Sequence, residues 1–311
     1  MRTVTTRAPT RIDFGGGWTD VPPYCTREGG YVCNLAINRY AKAEVTDAVR
    51  TAVGGAEERL IEAALRRAGV PGVRATMSAD YPVGAGLGGS SAASAALLGA
   101  LRTWRGVEWN LRDIAEEGRV IEVEDLGIAG GRQDHYAATH GGALGLRFTD
   151  SVDVTRVELS ESCRRDVEQR MLITYTGESR ISGDTITAVT DAYLSRDRRV
   201  LTSLGRMRDL AEQMAAELAD GDIDDLGEMV NEHWEFQRNL HPAIPTPLID
   251  QIVADARKAG AVGCKALGAS GGGCVLVIAH HDAMPDVQRS VTRLGTTILP
   301  FEIALDGVSL A

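Results

Sequence analysis

The chain has no CxxC pair, and its five cysteines (Cys25, Cys33, Cys163, Cys264, Cys274) are an odd number scattered over 311 residues. That spacing argues against a zinc centre or a disulfide framework and reads as reduced thiols in a cytosolic setting. No apolar run is long enough to cross a bilayer, and the opening MRTVTTRAPTR has no apolar h-region, so a cytoplasmic protein without a membrane partner is expected. Positive charge is also short. With 33 Lys and Arg against 43 Asp and Glu, the formal charge of −10 argues against nucleic acid or anionic membrane as the main partner. Repeats, low-complexity segments and a linker are absent. No glycine is followed by Lys and then Ser or Thr, which excludes a Walker A loop.

What is there is glycine in clusters. Gly84-Ala85-Gly86-Leu87-Gly88-Gly89-Ser90-Ser91 is too rich in glycine for a helix or strand and runs into an Ala-rich, helix-forming stretch at 92–101. A loop that feeds a helix start offers free N–H groups and the positive end of the helix dipole, which suits a phosphate. The spacing Gly84-x-Gly86-x-x-Gly89 also satisfies the dinucleotide fingerprint. The acid expected at the end of a following strand is missing, and a nicotinamide site leaves the two serines unexplained.

Two further loops stand out. Residues 15–23 (GGGWTDVPP) bring three glycines, an indole, a hydroxyl and a carboxylate together, a mixture suited to a sugar; the alternative is a tight turn with Asp20 as an N-cap. Residues 127–136 (GIAGGRQDHY) bring Arg132, Gln133, Asp134 and His135 beyond a glycine pair; the alternative is Asp134 capping a short helix through 138 that Gly141-Gly142 ends. Between these loops, strands are expected at 2–14 (broken by Pro9), 31–37, 41–49 and 73–79, with helices at 57–68 and 111–125. The later half reads as strands at 152–158 and 171–176, helices at 183–218, 221–238 and 246–259, strands at 262–267 and 274–279, a helix near 283–294 and a strand at 297–304. The length suggests two domains, with the change somewhere in 150–182.

Taken in chain order, three motifs resemble those of the GHMP small-molecule kinases: residues 11–20 (RIDFGGGWTD), the Gly-Leu-Gly-Gly-Ser-Ser loop, and residues 265–274 (KALGASGGGC). The likeness covers essentially the whole chain. It implies an α+β, two-domain GHMP kinase fold, with a ribosomal protein S5 domain 2-like N-terminal domain at 1–165 and a ferredoxin-like C-terminal domain at 166–311. Within the family, residues 14–24, 126–142 and 175–180 are most like the sugar 1-kinases that act on D-glycero-D-manno-heptose 7-phosphate. Fucokinase is the next likeness, through Gly-Gly-Trp-Thr-Asp and Gly-Gly-Arg-Gln-Asp. Trp18 stands where the heptose enzymes carry glycine and leans toward fucokinase, whereas the chain length fits the heptose enzymes.

The resemblance implies roles residue by residue. Gly84, Ala85, Gly86, Leu87, Gly88, Gly89, Ser90 and Ser91 would wrap the phosphates of ATP. Ser90 and Glu122 would hold Mg²⁺, with Glu124 a substitute and Ser91 a helix cap. Asp134 would accept the proton of the sugar hydroxyl, and Arg11 would stand beside it as the cation. Gly16, Gly17, Thr19, Asp20 and Gln133 would line the sugar, His135 would touch substrate or make a structural hydrogen bond, and Arg132 and Arg180 would clamp a phosphate already on it. Gly271 and Gly272, in the third motif, would close the C-terminal domain on the substrate, with a plain hairpin turn as the alternative. The implied partner is a small sugar or sugar phosphate, and a homodimer stays open.

Overall fold

The computed structural model describes residues 2–47, 55–178 and 183–311. The first half builds an antiparallel sheet from β1 (Thr3–Gly15), β2 (Gly30–Thr46), β3 (Arg74–Ala79), β4 (Ala143–Phe148) and β5 (Val152–Val157). The short α1 (Tyr24–Glu28) precedes β2, and α2 (Gly55–Ala68) precedes β3. After β3 come α3 (Gly89–Arg105), α4 (Leu111–Val120) with a wider π-helical turn at Ile121–Asp125, and α5 (Gln133–His140). The stretch expected as two strands at 31–37 and 41–49 is one strand of 17 residues. Its first part pairs with β4 and its second with β3, while β1 runs along both. Pro9 has no N–H for the ladder, and the β1–β2 register shifts between Pro9 and Thr10, so the proline bends the strand pair without ending it.

The second half contains α6 (Glu161–Arg170), β6 (Met171–Tyr175), α7 (Gly183–Leu194), α8 (Arg198–Asp220), α9 (Ile223–Arg238), α10 (Pro247–Lys258), β7 (Ala261–Ala266), β8 (Cys274–Ala279), α11 (Met284–Thr292) and β9 (Thr297–Leu299). Its sheet has the order β7-β8-β6-β9 with antiparallel pairs throughout. Strand, helices, hairpin, helix, strand in that order is the ferredoxin-like arrangement. The chain then returns to the first sheet, where β10 (Ser309–Leu310) pairs with β1. The C-terminal strand therefore belongs with the N-terminal sheet, unlike a clean division at 165/166.

Three large apolar clusters, with a smaller fourth around Tyr136 and Phe148, hold these layers among the described residues. One packs α2 and α3 on β1–β3, with Ala92, Leu97, Leu98 and Leu101 fully buried. A second fills the space between the sheets and involves Ile12, Phe14, Leu210, Met214, Leu276 and Ile278. A third packs the C-terminal helices on β7 and β8 around Trp234. The five cysteines are buried free thiols, as their spacing implies. Among the described residues, no helix is long and apolar enough to cross a membrane.

Candidate active site

The glycine loop opens α3. Gly84, Gly86 and Gly88 all have positive φ (72°, 76°, 75°), a left-handed residue at every second position, the alternation that lets backbone N–H groups form a concave lining. Gly88 is the N-cap of α3 and offers no side-chain cap, so the first amides of that helix are left for a ligand. Tyr81 and Arg11 tie the loop down with three bonds. The Tyr81 hydroxyl donates to Gly89 O at 2.8 Å, the Arg11 backbone N–H to Leu87 O at 3.0 Å, and Arg11 Nη1 to Gly86 O at 2.5 Å.

Arg11 also grips Asp134. Its Nε and Nη2 both lie 2.7 Å from Asp134 Oδ1, the arginine side chain being 3% exposed and the aspartate 28%. A buried guanidinium thus holds a carboxylate that still reaches the solvent of the cleft. Gly88 abuts this carboxylate: a Cβ there would sit 3.1 Å from Asp134 Cγ. Asp134 lies in the first turn of α5 and caps nothing, contrary to the bland alternative.

Beyond the loop, the π-helical turn carries Glu122 inward. The hydroxyls of Ser90 and Ser91 act on its carboxylate, and His135 Nε2 sits 2.8 Å from Oε2. Burial opposes ionisation of Glu122, but His135 and the two hydroxyls outweigh it and hold the group below its usual range. Ser90 is exposed to the cleft, while Ser91 is buried 3.4 Å from His135. An ionised carboxylate beside a hydroxyl, both on the cleft, is an oxygen donor set that suits Mg²⁺ carried on a nucleotide phosphate. Glu124 is exposed and paired with Arg119, so it offers nothing to this centre. Among the described residues no cluster of three or more His, Cys, Asp or Glu side chains could hold a metal alone. His135 meets Glu122, the structural of its two expected roles.

On the other side lies the 15–20 loop. Asp20 is 2% exposed, and its Oδ2 accepts the backbone N–H groups of Arg132 (2.8 Å) and Gln133 (2.9 Å), so it caps α5 from 112 residues away in sequence. Gly131 permits this, since any Cβ there would overlap the Asp20 carboxylate. Burial raises the Asp20 pKa to about 6 against those two N–H bonds, with Asp134 and Asp13 pushing the same way. Trp18, at φ 84°, holds a strained backbone and lines the cleft with Gly17, Asp20 and Gln133. Trp18 Nε1 and Gln133 Oε1 are buried with no hydrogen-bond partner among the described residues.

Other expected contacts are corrected. Thr19 is fully buried, its hydroxyl spent on Gly16 O and Tyr31 O, and the Gly16 N–H donates to His233 Nε2 at 2.8 Å; both sit behind the cleft wall. The Arg132 side chain turns away from the cleft, donating to Asp150 O at 3.3 Å and facing Glu116 at 3.9 Å, because the α5 cap presents its backbone to Asp20 and sends the side chain outward. Gly271 donates to Ile244 O, and Gly272 faces Glu178; Gly268 and Ala269 are the third-motif residues at the cleft. Arg180 lies outside the described residues.

The third motif does close on the first loop. Cys274 N–H donates to Ala85 O at 2.8 Å, and Leu267 O lies 2.6 Å from where a Gly86 Cβ would be. The resulting cleft has a volume of about 650 Å³ and runs from Trp18 and Asp20, past Arg11 and Asp134, along the glycine loop. It ends among Leu60, Met77 and Tyr81, an apolar compartment no motif marked. His233 and Lys265 were also missed. Burial drives His233 down to about 3, so the ring is neutral and, with Nε2 accepting, carries its proton on Nδ1.

The model of the GHMP kinases N terminal domain matches residues 53–142, and that of the GHMP kinases C terminal domain matches 214–296. The bifunctional fucokinase/GDP-fucose pyrophosphorylase of Arabidopsis thaliana is 28% identical over 87% of this chain, which spans 29% of that protein's length. A mevalonate kinase of Pyrococcus abyssi is 30% identical, covering 87% of this chain and 76% of its own. The D-glycero-alpha-D-manno-heptose 7-phosphate kinase of Campylobacter jejuni is 25% identical over 99% and 98% of the two chains. A solved D-glycero-D-manno-heptose 1-phosphate kinase from Bacteroides thetaiotaomicron shares the fold, with a TM-score of 0.81 at 23% identity over 99% of this chain and 98% of its own. With the two-domain fold, the glycine loop and both family regions in their places, the chain belongs to the GHMP kinases, a family of ATP-dependent phosphotransferases.

Proposed function

We propose that the protein transfers the γ-phosphoryl group of ATP to the anomeric hydroxyl of a sugar. The observation that carries this reading is the Arg11–Asp134 pair, held at 2.7 Å against the glycine loop in the middle of the cleft. A phosphate placed on the amides of residues 84–91 would have its terminal group beside that pair. The sugar oxygen attacks the γ-phosphorus, the bond to the β-phosphate oxygen breaks, ADP leaves, and the hydroxyl proton goes to Asp134. Arg11 offsets charge on the moving group. Ser90 and Glu122 would hold Mg²⁺, which when bound would supply further neutralisation of phosphate charge. A polyol is favoured as acceptor because Trp18, Gln133 and the buried Asp20 carboxylate line the far end of the cleft, placing polar groups beside an apolar ring.

The finer reading is a kinase for D-glycero-D-manno-heptose 7-phosphate, giving the 1,7-bisphosphate for nucleotide-activated heptose. It is supported by the likeness to the heptose 7-phosphate kinase of C. jejuni along the full length of both chains. A second reading, an unphosphorylated sugar such as L-fucose, is favoured by Trp18 and by Arg132, whose side chain is engaged away from the cleft. A panel of heptose 7-phosphate, L-fucose and galactose with coupled ADP detection separates the two. Turnover of free fucose without heptose 7-phosphate would overturn the first, and no turnover of any sugar would count against both.

A further inference from the structure

Lys265, on β7 of the second sheet, has no exposed side-chain surface. Its Nζ lies 3.2 Å from Asp13 Oδ2 and donates to the Asp13 carbonyl oxygen at 2.7 Å, so this contact joins the two halves of the molecule. Asp13 stands two residues after Arg11 on β1. Their side chains therefore leave the same face of the strand, about 7 Å apart along it. Burial resists a charge on Asp13, but Lys265 and then Arg11 hold its carboxylate below the usual range. Four charges of alternating sign thus run inward from the cleft: Asp134, Arg11, Asp13, Lys265. Arg11 faces two carboxylates and serves one of them, Asp134. The second oxygen of the other, Asp13 Oδ1, is buried without a hydrogen-bond partner among the described residues.

We infer that Lys265 and Asp13 are a positioning pair: Lys265 occupies the Asp13 carboxylate so that Arg11 stays on Asp134 and on the glycine loop. A buried carboxylate stripped of its counter-ion is strongly unfavourable, and it is relieved by a proton or by another cation within reach. Of the other groups that act on Asp13, His233 has its Nε2 engaged as acceptor of the Gly16 N–H, which leaves Arg11. Losing Lys265 would then draw Arg11 from Asp134 toward Asp13 and misplace the centre of the cleft, although Lys265 itself touches no substrate. Removing the Asp13 carboxylate as well takes away the competitor, and Arg11 returns to Asp134.

The test uses Lys265→Met, Asp13→Asn and the double variant. In crystal structures, Arg11 should move to Asp13 in Lys265→Met and lie on Asp134 in the other two; Arg11 still on Asp134 in Lys265→Met would overturn the inference. This readout needs no activity, so it stands apart from the kinase reading, on which the kinetic arm rests. There, kcat of Lys265→Met should fall about a hundredfold, the cost of a misplaced catalytic group, with a smaller change in KM for ATP, since the Arg11 backbone N–H and the Tyr81 hydroxyl still hold the loop. The double variant should recover to within about tenfold of wild type, since a buried pair replaced as a whole is often tolerated. A double variant as slow as Lys265→Met would contradict the inference. So would wild-type kcat per folded molecule in Lys265→Met, the outcome of a purely structural pair. Should Lys265→Met not fold, Asp13→Asn decides: kcat near wild type supports the inference, and a hundredfold loss overturns it.

Discussion

Asp20 works against its own burial. Two backbone N–H bonds favour its carboxylate, yet burial wins and raises the pKa to about 6 from an ordinary 3.8. A carboxyl whose pKa rises on folding binds its proton more tightly in the folded state. The stability it contributes is full below about pH 4 and is lost as pH climbs through 6, by about 3 kcal/mol for a shift of this size. Asp20→Asn has no such titration. Urea unfolding at pH 4 and pH 8 should show the variant gaining about 3 kcal/mol on wild type between the two, whereas a constant difference would place the ionised group in a more favourable setting than its burial implies. Arg132 gives a second test at this scale. Its side chain bonds to Asp150 O and faces Glu116, so Arg132→Ala should leave KM for the sugar within about twofold, the change expected of a group that touches no ligand. A tenfold rise in KM for a phosphorylated sugar would restore the clamp.

Among elements, the glycine loop was legible because its chemistry is local: the glycines, the serines and the helix they open are neighbours in sequence. Asp134 and Arg11 were legible for the same reason, each inside a compact motif. What escaped depends on register between distant segments. Nothing near Arg132 announces that Asp20 caps its helix and turns the side chain outward. Nothing near His233 or Lys265 announces Gly16 or Asp13. The helix expected to run through 111–125 ends instead in a π-helical turn, and that turn carries Glu122 to the serines. Helix α6 was missed because Glu161–Arg170 is mostly charged, although Ser160 caps it through the Cys163 N–H. The loop also makes a prediction. Gly86 has φ 76° and Leu267 O in the space of a Cβ, so Gly86→Ala should destabilise the protein by about 1–3 kcal/mol and weaken ATP binding. Chemical unfolding with an ATP titration checks it, and a neutral substitution would mean that the two halves close less tightly here than the geometry requires.

At the scale of the whole molecule, the cleft has walls from both halves: Trp18, Asp20 and the glycine loop from the first, Gly268 and Ala269 from the second. The two-sheet division was legible from the change of pattern after residue 150. The return of β10 to β1 was not, because two residues carry no periodicity. A nucleotide gripped across this cleft binds the folded chain alone. ATP with Mg²⁺ at about a hundred times its Kd should therefore stabilise the protein by about 2.7 kcal/mol, and NAD should not. A shift with NAD but not with ATP and Mg²⁺ would return the loop to a dinucleotide role. The central claim is that Asp134, held by Arg11, takes the proton from the attacking sugar hydroxyl. The most direct measurement is turnover of Asp134→Ala on the sugar that wild type uses, with ATP binding followed by calorimetry. Asp134→Ala should lose about a thousandfold or more in kcat with ATP affinity nearly intact. Undiminished turnover would remove Asp134 from the chemistry and contradict the claim.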